Sequence, residues 1–267
     1  MTTNDMTKAS EGPHPIMTPE TMRAINLRYG IRFPTWNYTV SIDDVRRIAY
    51  FETPKVACTS IKKYMMDRYV GGEMVLPSKG AVHDRSLSPL RQLSTLEDED
   101  AKAVLGAGYR RFTFCRNPYT RVLSAYLDKL VTNEWERKRH LPIFGFEPGA
   151  RPTFLEFLER LSGIEDRMRD IHYMTQRRLT GGVGGLQMDY IGRFERFGED
   201  FQTFKRRFYD DSSTEDYQSF GKHHASDAGS KIDSHYGPAE IALVQSIYAA
   251  DFTQFGYGTR IEDALLA

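Results

Sequence analysis

Apolar residues recur along this chain in two rhythms. The unbroken run IAYF at Ile48–Phe51 and the segment Arg110–Cys115, with Phe112 and Phe114 on one face, have the length of buried strands. Each is followed, after a loop, by apolar positions three and four residues apart. The first such helix is marked by Ile61, Tyr64, Met65 and Arg68, running from Ser60 to about Tyr69 and closed by Gly71 and Gly72. The second is begun by Pro118 and striped by Val122, Leu123, Tyr126 and Leu130. Around these units the pattern predicts a helix from the Thr18 cap to Gly30 and a strand at Glu73–Leu76 before a polar loop, Pro77–Ser88. Further helices are predicted at Leu96–Leu105, after a Thr153/Glu156 capping box, at Arg167–Leu179, at Gly198–Phe208 and from Pro238, with a strand at Asp189–Phe194. Strands alternating with helices predict an α/β fold, a central parallel sheet flanked by helices.

Residues 1–17 are polar and read as a flexible tail before a single domain over 18–267, in which the long polar stretch 210–235 reads as a lid. With 267 residues, 40% of them hydrophobic, the chain can bury a substantial core. Lysine plus arginine and aspartate plus glutamate number 36 each, which argues against a polyanion-coating protein and predicts no nucleic-acid partner. No apolar run is long enough to span a membrane and the N-terminus lacks the order of a secretion signal, so the expectation is a soluble, cytoplasmic protein. The two cysteines, Cys58 and Cys115, read as reduced thiols, and no Cys/His set has zinc-ligand spacing, so no metal is expected.

The two strand-to-helix junctions carry the chemistry. In PKVACTSIK, Pro54–Lys62, Lys55 leads a loop of small residues, Ala57, Cys58, Thr59 and Ser60. Backbone N–H groups at such a helix start, with the two hydroxyls, suit an oxyanion. The pattern is not the G-x-x-x-x-G-K-[ST] loop, and an ordinary capped helix beside a solvated Lys55 fits the segment equally well. In RNPYTRVLSAYLDK, Arg116–Lys129, Arg116 ends a strand where a guanidinium can grip a second phosphate, with Ser124 on the following helix. Arg121 is an alternative for that grip, and in the plain reading Arg116 pairs with an acidic neighbour while Ser124 is ordinary helix surface. Together the junctions suggest a ligand with two anionic ends.

PKVACTSIK resembles the 5′-phosphosulfate loop of sulfotransferases that use 3′-phosphoadenosine 5′-phosphosulfate (PAPS), and RNPYTRVLSAYLDK resembles their 3′-phosphate segment. The closer likeness is to the Golgi-type carbohydrate sulfotransferases, chondroitin-like enzymes included, with echoes in HYMTQ (His172–Gln176), IGRFE (Ile191–Glu195) and IYAADFTQFGY (Ile247–Tyr257). Two departures are Ala57, where many relatives have Gly, and Asn117, where Asp is common. The resemblance implies a P-loop-like three-layer fold, PAPS as donor without a metal, and a hydroxyl acceptor, a carbohydrate first and a polar small molecule next. A further departure is the missing Golgi anchor helix, from which a soluble bacterial relative is expected, with the acceptor left open. The donor-binding set the resemblance implies is Lys55, Ala57, Cys58, Thr59, Ser60, Ile61 and Lys62 from the first segment, Arg116 and Ser124 from the second, and Arg193 from the IGRFE echo.

Sulfuryl transfer needs in-line placement and stabilisation of the bridging oxygen, a role that falls to Lys55. The acceptor hydroxyl needs a base. His83, in GAVHD with Asp84 to orient it, is the first candidate, and His172, with Gln176 at helical spacing, is the rival. Lys222, His223 and His224 would contribute cationic groups from the lid, and the basic run Glu136–His140 would attract an acidic acceptor. The rival readings are a P-loop kinase-like protein, which would turn over magnesium ATP, and a nucleotide-sensing domain without transfer.

Overall fold

The computed structural model describes residues 16–214 and 229–265. Four strands form one sheet in the order β1-β2-β3-β4: Val40–Asp43, Ile48–Phe51, Arg110–Cys115 and Tyr190–Arg193. β2, β3 and β4 are parallel, as expected, whereas β1 pairs antiparallel with β2 and was not legible in the sequence. Its sequence, Val-Ser-Ile-Asp, alternates apolar and polar over only four residues, and all four are buried, Ser41 and Asp43 included. Asp43 accepts the Arg46 N–H and pairs with its guanidinium, closing the hairpin to β2.

The pleat sends alternate side chains to opposite faces. Ile48, Tyr50, Phe112 and Phe114 pack against α3 (Cys58–Val70) and α9 (Phe197–Tyr209). On the other side, Ala49 and Phe51 meet α1 (Pro19–Tyr29), α2 (Phe33–Thr39) and α4 (Asp98–Leu105). Cys115 meets α5 (Pro118–Tyr126), α7 (Phe154–Ser162) and the last two helices, Pro238–Ile247 and Ala249–Phe255. Helices therefore cover both faces. α3 follows β2 onto one face and α5 follows β3 onto the other. The two loops thus leave the carboxyl ends of neighbouring parallel strands in opposite directions, which opens a crevice between them.

Three expectations are corrected. Glu73–Leu76 pairs with no strand; the Met74 N–H is taken by Asp67 Oδ1 and Val75 lies exposed. Arg167–Leu179 is not one helix but a turn at Asp166–Met168 and a four-residue helix α8, Gln176–Leu179. Asp166 and Asp170 cause the break, because their carboxylates accept the N–H groups of Thr175 and His172 and so compete with the helical ladder. Met17, read as part of the tail, is buried, and the N–H groups of Ile16 and Met17 bond Ser94 O. α5 continues into a π-helical segment, Leu127–Thr132, and then α6, Glu134–His140. Lys222, His223 and His224 lie outside the described residues. Among the described residues, no helix is long and apolar enough to cross a membrane.

Candidate active site between two strand-to-helix loops

The first loop is held in an unusual backbone. Lys55 and Ala57 have φ of 71° and 51°, the left-handed region that side chains with a Cβ rarely adopt. Ala57 is the N-cap of α3 and contributes no side-chain cap, so the N–H groups of Cys58, Thr59 and Ser60 point out of the helix start without intrahelical acceptors. Ile61 is where the helical ladder begins: its N–H bonds Ala57 O and its side chain lies in the core, so it positions the turn rather than offering a donor. Burial pushes the Cys58 thiol up to about 12, which leaves it neutral.

The second motif fastens the first. Arg116 donates from Nη1 to Lys55 O at 3.1 Å and from Nε to Thr120 Oγ1 at 3.0 Å, with its guanidinium 4.2 Å from the Phe194 ring centroid. Among the described residues its Nη2 has no acceptor, which leaves one donor edge for an anion. Burial brings its pKa down to about 10, still well above neutrality. Gln176 clamps the same residue, accepting the Arg116 N–H and donating to its carbonyl. Gln176 therefore serves Arg116, not a helical pairing with His172. Arg121 is buried and donates to Pro54 O, Met174 O and Ile171 O, so the alternative phosphate grip is taken up in structure. Ser124 is buried on α5. Asn117 caps α5 by accepting the Tyr119 N–H, which needs only a side-chain oxygen and explains why Asn serves in place of Asp.

Beneath the loop lies a buried ionic group. The Lys62 ammonium, 1% exposed, sits 2.7 Å from Glu52 Oε2 and 2.8 Å from His83 Nδ1. Lys62 is thus turned inward, away from any donor. Burial alone would raise the Glu52 pKa, but Lys62, with His83, outweighs it and holds the carboxyl down to about 2. His83 Nε2 lies 3.0 Å from Thr59 Oγ1; burial first, then the neighbouring ammonium, lowers its pKa to about 4. Asp84 does not orient it, being engaged with the Ser86 N–H and hydroxyl instead.

Lys55 Nζ pairs with Asp128 Oδ2 at 3.0 Å. The chain of charges runs on through Lys129, which contacts Asp128 and Glu136, to His140. The basic run on α6 is therefore largely paired: Glu136 also holds Arg139 and Glu134 holds Lys138. Beside this network His172 Nδ1 lies 2.6 Å from Asp170 Oδ1. Burial lowers the Lys55 pKa against the pull of Asp128.

Arg193 ends β4, paired with Cys115, the residue before Arg116. Its guanidinium donates to Phe255 O at 2.7 Å and lies 4.6 Å from the Tyr257 ring centroid, on the side where Tyr257 bonds Glu195. Sequence reasoning missed Glu52, Asp128 and Asp170. Asp128 lies inside the second motif, and Glu52 and Asp170 lie beside a motif; the partners of Glu52 and Asp128 are set by tertiary contact, that of Asp170 by its own turn. Two groupings, Glu52/Cys58/His83 and His140/Asp170/His172, bring metal-capable atoms within 4.8 Å of one another. In the first the Lys62 ammonium already faces both Glu52 and His83, and in the second Asp170 and His172 are joined by a hydrogen bond.

Among known proteins, residues 38–258 match the model of the sulfotransferase family, a span that contains both loops. The chain is 26% identical to carbohydrate sulfotransferase 12 of Xenopus laevis, over 81% of this chain and 59% of that one. It is 24% identical to mouse carbohydrate sulfotransferase 8, over 84% and 57%, and 25% identical to human carbohydrate sulfotransferase 9, over 83% and 54%. The chain thus spans a little over half the length of these relatives. No solved structure is significantly similar to it. From the two loops at the carboxyl ends of β2 and β3 to the last helices, this chain belongs to the sulfotransferase family.

Proposed function

We propose that this chain transfers a sulfuryl group from PAPS to a hydroxyl of a carbohydrate acceptor, using residues 18–267 as one P-loop-like three-layer domain. The observation that carries this reading is the bond from Arg116 to Lys55 O, which joins the two strand-to-helix loops to which we assign the donor's anionic ends. The N–H groups at the start of α3, with Thr59 and Ser60, would take the 5′-phosphate. Arg116, with Ser124 further along α5, would take the 3′-phosphate that separates this donor from ATP. Lys55 would stabilise charge growing on the bridging oxygen as the sulfur–oxygen bond breaks, a place where a cation acts most strongly in the transition state. This reading calls on side-chain cations for that charge and on no metal. The names of the relatives support a carbohydrate acceptor.

The test is calorimetric titration with adenosine 3′,5′-bisphosphate beside ATP and ADP with magnesium, followed by transfer from radiolabelled PAPS to a panel of unsulfated oligosaccharides. Preference for the bisphosphate without metal, with label on a sugar, is the expected result. Preference for magnesium ATP would move the chain to the kinase-like reading, and tight bisphosphate binding without transfer to any acceptor would favour a sensing domain.

A further inference from the structure

Given the sulfotransfer reading, on which this inference rests, we infer that His172, oriented by Asp170, is the base that takes the acceptor proton, and that His83 instead braces the donor loop. The two histidines differ in what their ring nitrogens already do. His83 Nδ1 faces the Lys62 ammonium at 2.8 Å, and an ammonium only donates, so Nδ1 is the acceptor. Its neutral ring then carries the proton on Nε2 and donates to Thr59 Oγ1 at 3.0 Å. Neither nitrogen has a lone pair for a substrate, and a second proton would sit beside an existing positive charge. His83 ties α3 to the loop at Lys79–His83 instead.

His172 is arranged the other way round. Its Nδ1 faces Asp170 Oδ1 at 2.6 Å, and the same oxygen accepts the His172 backbone N–H at 2.9 Å, which fixes both ring and turn. An ionised carboxylate only accepts, so Nδ1 carries the proton and the lone pair is on Nε2. Among the described residues Nε2 has no hydrogen-bond partner, and the side chain is 23% exposed. The charged and titratable groups facing it are Asp170 on its own turn, His140 on α6, Lys129 on the π-helical segment, Lys55 on the donor loop and His83. Burial, aided by the lysines, keeps the ring neutral against the pull of Asp170, the state a base needs. The His172 ring centroid lies 5.9 Å from that of His140, which Glu136, Lys129 and Asp128 link to Lys55, so the base stands beside the same network as the residue serving the bridging oxygen.

In the step, the acceptor oxygen forms its bond to sulfur and its proton passes to His172 Nε2. The bond from sulfur to the bridging oxygen breaks, and its electron pair stays on the 5′-phosphate beside Lys55. Asp170 stabilises the imidazolium, the role a buried carboxylate plays for histidine in hydrolytic triads, and the proton then leaves to water.

The experiment compares His172→Gln, Asp170→Asn and His83→Gln by transfer from radiolabelled PAPS to the oligosaccharide panel, by adenosine 3′,5′-bisphosphate binding, and by nitrogen-edited NMR of labelled histidines. His172→Gln is expected to lower kcat about a hundredfold or more with bisphosphate affinity within about twofold, the scale of a lost general base. Asp170→Asn is expected to lower kcat and to move the acid limb of kcat/KM to lower pH, since the carboxylate raises the His172 pKa. His83→Gln is expected to weaken bisphosphate binding more than it lowers kcat. In the NMR, His172 is expected as the Nδ1–H tautomer. An active His172→Gln enzyme, a His83→Gln variant that loses kcat with intact binding, or an Nε2–H tautomer for His172 would each overturn the inference. A wild-type protein that binds the bisphosphate but sulfates no sugar would count against the sulfotransfer reading, while the tautomer would still decide the dyad.

Discussion

Arg116 Nη1 donates to the backbone oxygen of Lys55 across 3.1 Å, so the arginine assigned to one phosphate also holds the loop assigned to the other. Arg116→Ala should therefore act on both. The lost charged contact is expected to weaken adenosine 3′,5′-bisphosphate by about 1.5–3 kcal/mol, roughly ten- to 150-fold in Kd. Adenosine 5′-phosphate, which lacks the 3′ group, should lose only the smaller share that reflects a loosened loop. Calorimetry with both ligands separates the two. Equal losses would assign Arg116 to the loop alone.

Lys55 and Asp128 form the second testable pair. Lys55→Ala should lower kcat by about 10²–10³ with bisphosphate affinity nearly unchanged, the pattern of an interaction made in the transition state. Asp128→Asn tests the same residue through its proton. Burial lowers the Lys55 pKa and Asp128 opposes that, so without the carboxylate the lysine loses its proton at lower pH. The alkaline limb of the kcat profile should accordingly move down in pH, and an unmoved limb would detach Lys55 from the chemical step.

Lys62 and Glu52 make a pair whose value lies in folding. Both side chains are buried, 2.7 Å apart, and removing one partner leaves a charge without compensation. Lys62→Met should cost about 3–5 kcal/mol in urea unfolding, and the double variant with Glu52→Gln should cost less than the sum of the single ones. Additive losses would show that the two groups do not act together.

The parts that could be read from the sequence are those set by local period and end signals. The runs at β2 and β3, the Thr153/Glu156 capping box and the stripe of α5 depend on neighbours within a few residues, and all three appear where expected. The joining of Lys55 and Arg116 followed from parallel strands ending side by side. What failed depended on distant partners. β1, Val-Ser-Ile-Asp, alternates apolar and polar over only four residues, too short a run to stand out, and its polar Ser41 and Asp43 are buried by the packed sheet. The Arg167–Leu179 periodicity was helical, but two aspartates diverted its N–H groups. Asp128 gains its meaning from a lysine 73 residues away, and Glu52 from a helix beyond the loop. Such pairings follow from the packed sheet, not from spacing.

Acid stability follows from the same buried group. Glu52 has its pKa held to about 2 against an ordinary 4.5, and His83 is lowered to about 4 from 6.5. Both are depressed in the folded state, so in each window the unfolded chain binds more protons and stability is lost as the pH falls. His83 should contribute its loss between about pH 6.5 and 4, and Glu52 between about 4.5 and 2. Each adds at most about 1.4 kcal/mol per pH unit, the value of one proton. Urea midpoints measured from pH 7 downward should fall less steeply in the upper window for His83→Gln and in the lower one for Glu52→Gln than in the unmodified protein. Parallel slopes in all three would mean that neither group holds its proton differently on folding, and the Lys62-centred network would then have no part in the acid transition.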